Sequence, residues 1–87
     1  MTNRYLEKAA QLAPIVEHVH GTHHPELTRV RQIIEELQSR EDTATTLPLF
    51  QELRTVTENY AIPKDGCEAF EATYNALKRA DQQLTAA

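Results

Sequence analysis

Residues 16–27 read VEHVHGTHHPEL. The stretch holds all four histidines (His18, His20, His23 and His24), one of the two glycines, and a Pro25–Glu26 pair. Proline at the first helical position loses only an amide that had no partner, and a glutamate beside it complements the positive end of the helix dipole. Before the stretch, Tyr5, Ala9, Leu12, Val16 and Val19 recur at steps of three and four, with Leu6, Ala13 and His20 on the flank. After it, Leu27, Val30, Ile34 and Leu37 do the same, with Ile33 beside them. Such steps are one face of a helix. Residues 16–27 therefore read as a corner between two amphipathic helices, with Gly21 ending the first in a left-handed conformation. A chain whose best-marked corner joins two helices reads as all-α.

Two further runs extend that reading. Leu49, Leu53, Val56 and Tyr60 form a third stripe, with Phe50 alongside. The polar residues 39–46 read as the loop before it, with 42–46 supplying its cap. Pro63 stops the third run, because a residue preceding proline is pushed out of the helical region. Cys67, Phe70, Tyr74, Leu77 and Leu84 form a fourth stripe, with Ala80 filling the gap and Asp81 interrupting its apolarity. Thr2 or Asn3 caps the first helix, and Pro14 lies within it. The pattern predicts helices over about 3–20, 25–39, 46–61 and 64–85, in one domain spanning 1–87. Helices of this length joined by short loops predict an antiparallel four-helix bundle.

Composition limits what such a domain does. The chain has 87 residues and a formal charge of −4, with no basic face, which argues against nucleic acid as partner. Its apolar runs are too short to span a membrane. The opening residues MTNRYLEK show no signal-peptide apolar core. A single cysteine, Cys67, makes no internal disulfide, and the expected setting is the reducing cytoplasm.

Two stretches carry a family likeness. VEHVHGTHHPEL resembles the first corner of the iron–sulfur cluster repair di-iron proteins, which are hemerythrin-like bundles. Residues 53–77, LRTVTENYAIPKDGCEAFEATYNAL, resemble that family's segment with Thr, Asn-Tyr, Pro, Cys, an aromatic and Tyr-x-x-Leu at matching spacings. Tyr5-Leu6 adds a shorter match near the start. The resemblance implies a hemerythrin-like bundle and a role in nitrosative or oxidative stress. It also implies that His20 fills one iron-ligand position. The family's other ligand positions depart. No His-x-x-x-Glu pattern follows Leu37, Asp42-Thr43 stands where the third helix carries Glu-His, and Ala87 falls where the fourth helix carries His. The family's N-terminal double-cysteine module has no counterpart here. The expectation is a bundle kept and a di-iron centre lost, in a non-catalytic interaction or regulatory protein that binds a protein partner or a second copy. The alternative is a metal-binding protein, for iron or zinc, built from His20 and the neighbouring histidines, across a homodimer.

Each candidate residue has a plainer role beside the chemical one. His20 is a metal ligand or a helix-end histidine facing carbonyl dipoles. His18, His20, His23 and His24 are a surface metal site, a pH-sensitive cluster, or solvated imidazoles. Cys67 is a reactive thiol at a helix start or, the favoured reading, a buried small hydrophobe on the stripe. Tyr60 and Tyr74 bury their rings and lead their hydroxyls to partners. Neither a nucleophile–base constellation nor a glycine-rich phosphate loop stands out, so no catalysis is expected.

Overall fold

The computed structural model describes residues 3–39 and 43–85. They form four α-helices: α1 (Arg4–His20), α2 (Glu26–Ser39), α3 (Thr43–Val56) and α4 (Glu68–Leu84). There is no strand among the described residues. None of the helices is long and apolar enough to cross a membrane.

Asn3 starts α1. Its Oδ1 accepts hydrogen bonds from the backbone N–H groups of Tyr5 and Leu6 at 3.0 and 3.1 Å, so two orphan donors of the first turn are satisfied. The alternative cap, Thr2, lies outside the described residues. The buried face of α1 is Leu6, Ala9, Ala13 and Val16. It is turned from the expected stripe: Val19 is 64% exposed, and Tyr5 and Leu12 are only half-buried. The reason lies in the packing. α1 lies against both α4 and α2, and the side carrying Ala9 and Ala13 is small enough to admit close neighbours. Gly21 also departs from expectation. Its backbone is right-handed, with φ −60° and ψ −28°. Glycine is needed there because a Cβ would lie 2.4 Å from the Glu17 carbonyl oxygen that the Gly21 N–H already bonds.

α2 buries Leu27, Val30, Ile33, Ile34 and Leu37, the face its sequence predicts. Two arginines tie it sideways. Arg31 bonds Glu17 of α1 at 2.6 Å, and Arg29 makes a two-pronged contact with Glu52 of α3 at 2.6 and 2.8 Å.

α3 begins at Thr43, earlier than the pattern predicts, and ends at Val56 rather than near 61. The predicted cap at Asp42 lies outside the described residues. Glu58, Asn59 and Tyr60 then take left-handed backbone, with φ 54°, 60° and 63°. Thr57 organises this reversal. Its hydroxyl donates to the Leu53 carbonyl at 2.7 Å and accepts from the Tyr60 N–H at 2.9 Å. Tyr60 still reaches the core, so a helical and a left-handed path satisfy the same apolar spacing.

Residues 63–66 form a turn, closed by the Gly66 N–H on the Pro63 carbonyl at 3.0 Å. Helix α4 then begins at Glu68, not at 64, with Cys67 as its N-cap in extended conformation. Its buried face is Phe70, Thr73, Tyr74, Ala76, Leu77, Ala80 and Asp81. Seventeen hydrophobic residues drawn from all four helices and the 57–60 turn make one core cluster. Burying a single side chain of this size contributes about 1.5–3 kcal/mol, so nearly every one counts in so small a domain.

Candidate functional site

The end of α1, the start of α2 and the approach to α4 meet at one corner. His20 is the last residue of α1, and its Nε2 lies 3.1 Å from Cys67 Sγ. A hydrogen bond joins imidazole and thiol along that line, its direction set by the imidazole tautomer. Cys67 is exposed, against the expectation of burial. The core stripe of α4 starts one turn later, at Phe70, and the N-cap precedes it.

His24 sits beside this pair with a carboxylate at each ring nitrogen. Nδ1 is 3.0 Å from Glu26 Oε2, and Nε2 is 2.9 Å from both carboxylate oxygens of Asp65. Carboxylates only accept, so both contacts are satisfied at once only by the imidazolium. The hydrogen bond to Asp65 raises the His24 pKa above its ordinary 6.5; burial opposes the rise, and Glu26 supports it. The same bond holds the Asp65 carboxyl below its usual 3.8.

Phe70 positions both imidazoles. Its ring meets His20 and His24 edge-on, with centroids 5.2 and 5.3 Å away, and meets Tyr74 at 4.8 Å. The two histidine rings are 6.4 Å apart. His18 and His23 are exposed and contribute no ring contact here; His23 acts on Asp65 only as a nearby charge. The structure thus brings together His20, Cys67 and His24 from the sequence candidates, and leaves His18 and His23 outside. Among the described residues, no three His, Cys, Asp or Glu side chains converge to hold a metal ion. A cleft of about 450 Å³ opens beside the corner, between His24, Glu26, Phe70, Thr57, Glu58 and Ile62.

A second polar cluster lies inside the fold. Asp81 is 4% exposed. Its carboxylate accepts from Arg54 at 2.7 and 2.5 Å, from the Tyr60 hydroxyl at 2.7 Å and from the Thr85 hydroxyl at 2.9 Å. Burial alone would raise its pKa, but these donors together hold it below the usual value. Tyr60 and Tyr74 are both shifted upward, chiefly by burial. Tyr60 sends its hydroxyl to Asp81, as a core tyrosine is expected to.

The inward-facing residues do not fit a di-iron centre. Two bridged irons need roughly six or seven nitrogen and carboxylate ligands projecting inward. The described interior positions carry Leu, Ala, Val, Ile, Phe, Tyr and three threonines, and both oxygens of Asp81 are already engaged. His20 turns to Cys67 at the end of the helices. Asp42 and Ala87, which the sequence resemblance would set at ligand positions, lie outside the described residues.

Neither a family model, nor a curated protein, nor a solved structure matches the chain. The corner is therefore interpreted from its own chemistry. Sequence reasoning missed the role of Asp65 and read Glu26 only as a helix-start charge. Asp65 is 41 residues from His24, and no local spacing signals that pairing. Glu26, two residues from His24, was within reach of a local reading.

Proposed function

We propose that this protein is a non-catalytic helical interaction protein, built as an antiparallel, hemerythrin-like four-helix bundle that has exchanged a di-iron centre for a hydrocarbon core. One observation carries the reading. The interior is filled by Leu6, Val16, Ile33, Phe50, Leu53, Phe70 and Leu77, and the one buried charge among the described residues, Asp81, is fully engaged by Arg54 and Tyr60. Placing an unpaired charge in such a core costs several kcal/mol. The resemblance at residues 16–27 and 53–77 supports descent from the iron–sulfur cluster repair proteins and a regulatory part in that stress response, with a protein as partner. The test is anaerobic reconstitution with Fe(II). The protein is expected to take up no stoichiometric iron. Two irons per chain with oxo-bridge absorption would refute the reading.

A second reading is favoured by one specific contact. Cys67 Sγ lies 3.1 Å from His20 Nε2, so a soft donor has joined the histidine corner. This supports metal binding through His20, shared between two copies of the chain. Elemental analysis of the native protein beside a His20→Ala variant tests it. Metal is expected in the former and lost in the latter; equal content in both would exclude His20.

A further inference from the structure

We propose that His20 and Cys67 are half of a Cys2His2 site for a zinc-class cation, completed by the same two residues of a second copy. The inference rests on the second reading above and specifies its ligands, stoichiometry and symmetry. Imidazole nitrogen and thiolate sulfur are the preferred donors of zinc, which is four-coordinate and tetrahedral in closed structural sites.

The separation of the two atoms fits. A tetrahedral zinc with its nitrogen at about 2.0–2.1 Å and its sulfur at about 2.3 Å holds those two donors about 3.5 Å apart. The observed 3.1 Å needs to open by only a few tenths of an ångström. Cys67 is exposed and His20 half-buried, so both side chains have room for that shift. The edge of Phe70 against the His20 ring keeps the imidazole facing Cys67 while it happens.

The proton balance is simple. A thiol gives up its proton when it binds as thiolate, and a neutral imidazole gives up none. A divalent cation binding two pairs displaces two protons to solvent and leaves two thiolates and two neutral imidazoles around it. The assembled site is neutral, and no oxidant or reductant is required.

One chain cannot complete the shell. Both nitrogens of His24 are occupied by Glu26 and Asp65, and among the described residues no third ligand converges on the pair. A two-fold axis through the cation supplies the missing two donors, as an isologous contact does for any half-site on such an axis. Charge argues for the same occupant. Glu68, next to Cys67 in the first turn of α4, carries a negative charge that favours a cation. The dimer is expected only when the cation is present, because the cation supplies the bonds that join the two half-sites.

Titrating the reduced 87-residue chain with Co²⁺, then displacing it with Zn²⁺, reads ligands and stoichiometry together. Thiolate-to-cobalt charge-transfer absorption is expected to saturate at one cobalt per two chains. Sedimentation is expected to show a dimer with either metal and a monomer after EDTA. Cys67→Ser and His20→Ala each lose the absorption and the dimer, while a His18→Ala/His23→Ala double variant keeps both. Alkylating the Cys67 thiol of the folded wild-type chain gives the same loss without a substitution. Saturation at one cobalt per chain, metal-linked dimers that survive Cys67→Ser, or a dimer without metal would each overturn the shared site. Metal shared between two copies that is lost in His20→Ala but kept in Cys67→Ser sinks this inference and spares the metal-binding reading. No binding at all sinks both.

Discussion

His24 has a carboxylate at each nitrogen, and this sets how the fold responds to pH. Its folded-state pKa is raised above 6.5, first by Asp65 and then by Glu26. A raised histidine pKa stabilises the fold fully below the unfolded value, and that contribution disappears as pH climbs through the folded value. Asp65 runs the other way: its pKa is lowered from 3.8, so its contribution is present above 3.8 and fades as acid protonates it. The clasp is therefore strongest between these limits, from about pH 4 to 6.5. A His24→Gln variant is expected to melt below wild type in that window and to converge with it by pH 9. A constant difference across the range would contradict this. The histidine corner was visible in the sequence as four imidazoles around a glycine and a proline. Which of them meet carboxylate or thiol was not, because His20 and Cys67 are 47 residues apart and their contact depends on how α1 meets α4.

Among the elements, the end of α3 is the costly one. Three consecutive non-glycine residues hold positive φ, and left-handed backbone costs an L-residue about 1–2 kcal/mol. Asparagine bears that conformation more easily than glutamate does. Glu58 is exposed, so burial of its side chain does not offset the strain. Glu58→Gly is expected to raise stability by about 0.5–1 kcal/mol after glycine's extra chain entropy is counted, read as a higher urea midpoint with unchanged slope. Lower stability would mean that the turn is held by contacts of the Glu58 side chain. The apolar stripes of α2 and α4 were legible because each buries one continuous face. The end of α3 was not, because Val56 and Tyr60 are four apart and suit a helix equally well. Pro63 marked a later stop, while the switch in hand comes from a side-chain bond of Thr57. For α1 the period was right and the phase was wrong, because two neighbouring helices, not one, decide which side is covered.

For the molecule as a whole, α3 is held to α2 by packing and by Arg29–Glu52, and is joined to α4 through Arg54, Tyr60 and Asp81. Cutting that tie isolates Arg54 and the Tyr60 hydroxyl. Asp81→Asn is expected to cost about 2 kcal/mol, less than a fully buried pair because Arg54 keeps 38% of its side chain exposed. Amide exchange should accelerate across 53–60 more than in α1. Uniform acceleration would show that the tie stabilises the molecule evenly. Sequence alone supplied the four helices and most of their inner faces; the side-by-side order of α4, α1, α2 and α3 came from coordinates. That order bears on how the chain is made. α1 packs most extensively on α4, and the Asn3 amide donates to Gln83 at 3.0 Å, so α1 leaves the ribosome well before its main neighbour does. Until Leu84 has been synthesised, the alanine face of α1 has only α2 to cover it, and a nascent chain stalled before that point would be a natural client for a chaperone.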